Sequence, residues 1–162
     1  MLCLAGAVIG VLFNAVSPKG IALLGPVPHR QVKGIGELEL EEARALHEER
    51  TAVFVDARSA KEFNEGHIPG ALLLPPDDFD EAISSWTELI PRETLLITYC
   101  GAGCDSSLDL AELLKEEGYS RIKVFFGGWD KWKGAGYPVE KRGPKEKSLL
   151  QSNRQVSGPE GG

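Results

Sequence analysis

From Glu37 onward, short apolar runs alternate with segments whose apolar positions recur at helical spacing. Glu41–Glu49 is helix-like, with Ala43, Ala45 and Leu46 apolar. Ala52–Asp56 ("AVFVD") follows as a short continuous apolar run, the mark of a strand buried on both faces. Ala60–Glu65 reads as a helical turn, and Ala71–Leu74 as a second strand stopped by Pro75 and Pro76. Asp77–Leu89 carries Phe79, Ile83, Trp86 and Leu89 or Ile90 near helical spacing. Thr94–Tyr99 is the next strand. Ser106–Glu117 is the next helix, with Gly118 at its C′ position. Ile122–Phe126 is the last strand. Strands alternating with helices predict an α/β fold whose parallel sheet is covered on both faces. No internal repeat is visible.

The segment before Glu37 has a different character. Leu2–Val16 ("LCLAGAVIGVLFNAV") has no charge, and "IALLG" continues after "SPKG". As a helix, Leu2–Val16 would span roughly 22 Å, short of a ~30 Å hydrocarbon core. Three readings compete: a membrane anchor, short or trimmed at its start; a signal peptide; and a helix packed on the following domain. The missing basic start and A-x-A-like site argue against the signal peptide. The anchor is preferred, so residues 1–24 are expected to associate with a membrane. Lys19, Arg30 and Lys33 follow the segment and favour a cytoplasmic domain; the side of the membrane is left open, as is the oligomeric state. Residues 25–36, with Pro26 and Pro28, read as a linker. Residues 141–162, poor in large apolar residues, read as a disordered tail.

Charge narrows the partners. Residues 34–140 hold 22 acidic and 10 basic residues, whereas the two flanks are each net positive by three. An acidic centre argues against nucleic-acid binding, which needs a basic face.

The chemistry concentrates in "LLITYCGAGCDSSLDLAELLKEEG" (Leu95–Gly118), where a cysteine stands between a strand and a helix. The chain has three cysteines, Cys3, Cys100 and Cys104. They are too few for a disulfide scaffold and lack the companions of a zinc site. In open α/β sheets, sites sit at the carboxyl ends of strands, where Cys100 falls. Ser106 is expected to cap the helix, with Asp109 completing a capping box. Gly101 and Gly103 are expected to take positive φ and turn amides inward. Those amides and the helix start would form a positive cradle that depresses the Cys100 pKa. The alternative is that Cys100 is a small buried apolar residue at a strand end.

Three segments, in order, carry a resemblance. "VFVDARSAKEFNEGHIPGALLLP" (Val53–Pro75), "YCGAGCDSS" (Tyr99–Ser107) and "VFFGGWDKWKGAGYPVE" (Val124–Glu140) together resemble the rhodanese-homology (sulfurtransferase) family. The likeness covers about residues 37–140. It implies a rhodanese-like five-stranded parallel sheet with helices on both faces. It implies that Cys100 becomes a persulfide and passes its sulfur from a small-molecule or protein donor to a thiol or other acceptor. Gly101, Ala102, Gly103, Cys104, Asp105 and Ser106 would then form the substrate cradle, and no metal or organic cofactor is implied.

The chain also departs from the family. Its loop has no Arg or Lys and contains Asp105, which disfavours dianionic thiosulfate and favours a persulfide donor. A phosphatase of this fold would need C-x5-R; position 106 is Ser. Cys104 is either a small helix-flanking residue or a resolving thiol for a thiol–disulfide protein. Asp56 and Arg58 are expected to brace neighbouring loops, with Arg58 also a candidate for substrate contact. His67 is expected to be structural, in a Gly/Pro turn, and Trp129 and Trp132 to be packing residues. Glu112, Glu116 and Glu117 read as a solvated helix face. The rival outside enzymes is a non-catalytic partner-binding module.

Overall fold

In a computed structural model of the chain, the described residues are Arg30 and residues 32–142. From residue 32 onward they form strands β1 (Gly36–Leu38), β2 (Val53–Asp56), β3 (Leu72–Leu73), β4 (Leu96–Tyr99) and β5 (Ile122–Phe125). Between and after them run helices α1 (Leu40–Glu49), α2 (Ala60–Glu65), α3 (Phe79–Leu89), α4 (Ser106–Glu116) and α5 (Gly128–Gly134), with a 3-10 turn at Pro76–Asp78. The strands make one sheet in the order β1-β5-β4-β2-β3, and every pairing is parallel.

Period-two alternation along the strands sorts the core into two layers. Phe54, Ile97, Tyr99 and Phe125 point to one face and pack with Ala43 of α1, Phe63 of α2 and Trp132 of α5. Val55, Leu96 and Val124 point to the other and pack with Trp86 of α3 and Leu108, Leu110, Ala111 and Leu114 of α4. Cys100 belongs to this second layer. The continuous apolar runs are thus explained: β4 has no exposed face, because all four of its residues are buried.

The pattern-based elements agree with the structure to within a residue or two; β1 and α5 have no counterpart among them. That strand lies at the sheet edge, pairs only with β5, and buries only Leu38. Its three residues, "GEL", carry no apolar run. Val32 and Ile35, placed by sequence in the linker, also pack on the core. The expected anchor, residues 1–24, and all of the tail beyond Arg142 lie outside the described residues. No helix among the described residues is long and apolar enough to cross a membrane.

Two local expectations for the loop are corrected. Ser106 is the first residue of α4, not its cap; Asp105 precedes it with φ −94° and ψ −5° and makes no side-chain capping bond. A helical backbone at Asp105 lets Leu108 and Asp109 bond its carbonyl directly, so no capping box forms. Of the two loop glycines, only Gly103 has positive φ, at +69°. Gly101 is constrained by space instead: a Cβ there would lie 3.3 Å from Asp130 Oδ2.

α5 begins directly against the end of β4. A Cβ at Gly128 would stand 2.6 Å from Tyr99 Cβ and 3.0 Å from the Cys100 carbonyl oxygen, whose acceptor is already used by the Trp129 amide at 3.0 Å. Gly128→Ala should therefore destabilise the fold by about 1–3 kcal/mol through overpacking. Urea unfolding should show a lower midpoint at unchanged slope; an unaltered midpoint would mean that α5 can back away from the strand end.

Candidate active site: the loop after β4

Cys100 follows β4 and is held by backbone on both sides. Tyr99 C=O accepts from Ala57 N–H at 2.9 Å, and Cys100 C=O accepts from Trp129 N–H at 3.0 Å. The side chain is 2% exposed. Its thiol donates to the Cys104 carbonyl oxygen at 2.8 Å, with the Gly101 carbonyl oxygen at 3.5 Å and Ser107 Oγ at 3.2 Å. Thr98 Oγ1 donates to Ser107 C=O at 2.8 Å and fixes the first turn of α4 beside the sulfur.

The expected depressed pKa is not found. Burial pushes the Cys100 thiol up to about 12. The Ser107 hydroxyl and amide pull it down, while the neighbouring Cys104 thiol pushes it further up. Low dielectric disfavours a thiolate, and the carbonyls facing the sulfur favour the protonated thiol. The amide cradle read from the glycines is partly taken: Ala102 N–H donates to Asp130 Oδ2 at 2.6 Å. A side-chain carboxylate thus occupies an amide that could face an anion.

Above the loop lies a cleft of ≈ 490 Å³. Gly101, Ala102, Cys104 and Ser106 line its floor; Cys100 does not reach it, and neither Gly103 nor Asp105 lines it. Its charged lining is Glu62, Asp77, Asp109 and Asp130 against Arg58. The Ser59 hydroxyl holds the Glu62 carboxyl below its ordinary pKa, donating to Oε2 at 2.6 Å.

Arg58 serves as a brace, as expected, and also lines the cleft. Its Nε and Nη2 donate to Asp56 at 3.0 and 2.6 Å, Nη2 also donates to Gly66 C=O at 2.8 Å, and the guanidinium lies 4.7 Å over the Trp129 ring. Burial works to lower the Arg58 pKa, but the Asp56 carboxylate outweighs it and the net shift is upward.

His67 is buried and distant in role: Nδ1 pairs with Phe63 C=O at 2.8 Å, and its ring stacks on Phe63. Its backbone bridges to Glu140, so it pins the end of the domain. Trp132 is buried core, whereas Trp129 is half-buried and lines a second cleft beside Arg58. Sequence reasoning missed Ser107, Asp130, Glu62 and Asp77. Asp130 had a usable signal: it follows β5 closely, and residues after parallel strands converge on one edge. No group of residues suited to holding a metal ion exists among the described residues.

Comparison with known proteins supports the fold. Residues 39–135 match the family model described as the rhodanese-like domain. A tRNA uridine(34) hydroxylase of Escherichia coli is 27% identical over 106 residues, covering 62% of this chain but only 29% of that protein. The human single-domain sulfurtransferase is 25% identical with a TM-score of 0.53, over 60% of this chain and 95% of its own. A thiosulfate sulfurtransferase from Pseudomonas aeruginosa is 27% identical with a TM-score of 0.56, over 67% of this chain and 21% of its own.

The raised pKa gives a signed expectation. Below a pKa near 12, the Cys100 thiolate fraction grows about tenfold per pH unit. Alkylation of Cys100 should therefore keep accelerating from pH 7 to pH 10, and limiting iodoacetamide at pH 7 should label half-buried Cys104 first. Peptide mapping that finds Cys100 labelled first, with a rate that levels near neutrality, would contradict this site geometry.

Proposed function

The chain belongs to the rhodanese-like domain family, and on that premise we propose that it is a sulfurtransferase working through a persulfide on Cys100. The observation that carries this is a cysteine at the carboxyl end of a central parallel strand, under a cleft, with the Ser107 hydroxyl 3.2 Å from its sulfur. The Cys100 thiolate attacks the sulfane sulfur of the donor, and the donor's remaining sulfur departs with the bonding pair. An acceptor thiolate then attacks the outer sulfur and Cys100 leaves as thiolate. Ser107 donates to the sulfur in its anionic forms. Loop motion that replaces the Cys104 carbonyl by an amide would let the thiolate form. Two of the similar proteins are named sulfurtransferases, which supports the same reading.

The lining of the cleft favours particular donors. Four carboxylates against one arginine, itself tied to Asp56, set a negative potential at the mouth. A dianion such as thiosulfate is repelled, whereas a neutral small persulfide or a protein-bound persulfide is not. The tRNA named for the bacterial relative is not carried over: this chain spans only 29% of that protein, and its central region has 22 acidic and 10 basic residues.

Two experiments test the proposal. In the Cys104→Ser protein, a low-molecular-weight persulfide should add one sulfur to the peptide containing Cys100. Adding Cys100→Ser should abolish that gain; an undiminished gain elsewhere would move the chemistry away from this loop. Asp130→Asn should lower the thiosulfate KM several-fold while leaving the rate with a neutral persulfide unchanged. Wild-type protein already saturated at micromolar thiosulfate would overturn the charge argument.

A further inference from the structure

We infer that Cys104 is a resolving thiol, which discharges a Cys100 persulfide as hydrogen sulfide and closes a Cys100–Cys104 disulfide. The inference rests on Cys100 as the sulfur carrier and adds a second outcome for the bound sulfur.

The loop geometry brings the two cysteines together. Gly103, at φ +69°, turns the chain back so that the Cys104 carbonyl oxygen sits 2.8 Å from Cys100 Sγ. Standard bond lengths then place Cys104 Cα within about 5 Å of that sulfur. Adding the reach of the Cys100 side chain keeps the two Cα atoms within about 8 Å, so closing to the roughly 4.4–6.8 Å of a disulfide asks for side-chain rotation and a loop adjustment. Both residues pack on the same core cluster. The Cys104 side chain lies close enough to Cys100 to push its thiol pKa further up.

Access divides their roles. Cys104 lines the cleft and is half-buried, whereas Cys100 is 2% exposed and does not line it. An acceptor entering from the cleft meets the outer sulfur of a Cys100 persulfide. Cys104, beside the strand end, meets the inner one. When no acceptor occupies the cleft, the Cys104 thiolate attacks Cys100 Sγ. The new S–S bond forms as the bond to the outer sulfur breaks, and that sulfur leaves with the electron pair as hydrosulfide. It takes up the proton that Cys104 gave up. The two cysteine thiols are oxidised by two electrons, and the sulfane sulfur is reduced to sulfide. A dithiol reductant reopens the loop by exchange, itself becoming the disulfide.

The test uses full-length protein given one equivalent of cysteamine persulfide, whose ammonium offsets its persulfide charge, then rapidly desalted. Wild-type protein should release one equivalent of sulfide, lose two hydrogens by intact mass, and yield a Cys100–Cys104 cross-linked peptide. Cys104→Ser, with Cys104→Ala as a second variant, should retain the added sulfur on Cys100 and release sulfide roughly tenfold more slowly or not at all. Wild-type protein that holds its persulfide as long as the variants would overturn the resolving role while leaving sulfur transfer intact. Absence of sulfur on Cys100 in all three proteins would overturn the carrier reading and this inference with it.

Discussion

The site's framework hangs on an ion pair buried at the end of β2. Asp56 is fully buried and Arg58 nearly so. The carboxylate takes the Arg58 backbone amide, Nε and Nη2. The guanidinium in turn reaches Gly66 at the end of α2 and lies over Trp129 of α5. One pair thus ties the turn after β2 to the far end of α2 and to α5, which follows β5. Removing either partner of such a pair costs about 3–5 kcal/mol, because the other charge is left buried. The benefit is positional. Tyr99, next to Cys100, is fully buried, accepts the Ala57 amide on its backbone carbonyl beside this pair, and takes the Ile68 amide on its hydroxyl at 3.2 Å. Burial, then the Asp56 charge, holds the Tyr99 phenol well above its ordinary pKa, so it remains a neutral strut. Cys100 is thus carried on a strand end held in place by this arrangement.

The same arrangement fixes the electrostatics of the cleft. Because Asp56 already engages Arg58, little of that cation's charge is left to offset the carboxylates of Glu62, Asp77, Asp109 and Asp130 around the opening. Asp130 adds a specific effect: its oxygen sits on the Ala102 amide, so an anionic substrate would have to displace it as well as overcome repulsion. Charge in the cleft and hydrogen bonding at its floor act in one direction, against anionic donors.

Much of this was legible in sequence because the strands of a parallel sheet write their burial as apolar runs. "VFVD", "LITY" and "IKVF" each stand out for that reason. β1 did not, since an edge strand with one buried residue leaves no such run. Cys100 was legible through topology, as the residue where a central strand stops. The state of its thiol was not. Glycines beside a cysteine suggested inward amides, but which backbone groups face the sulfur depends on how the loop packs beneath α5. Asp130, 28 residues away in the chain, accepts the Ala102 amide, and local sequence cannot express that.

A buried thiol with a raised pKa and a role in covalent chemistry are compatible if reactivity is confined to the engaged loop. In the resting arrangement the proton on Sγ is held by the Cys104 carbonyl oxygen, so the thiol is shielded from alkylators and oxidants. A donor entering the cleft contacts Gly101, Ala102 and Cys104 before Cys100. On the proposed mechanism, rotating the Cys104 carbonyl away would remove the acceptor that holds the thiol proton. Gly101 and Gly103 are where the backbone can absorb such a change, because neither carries a side chain that resists it. Thr98 holds the Ser107 backbone beside the sulfur, so the Ser107 hydroxyl, 3.2 Å from Sγ and an acceptor to the resting thiol, is placed to donate once a thiolate forms. Such a coupling of access to activation would account for a cysteine sealed at rest at the carboxyl end of a central strand.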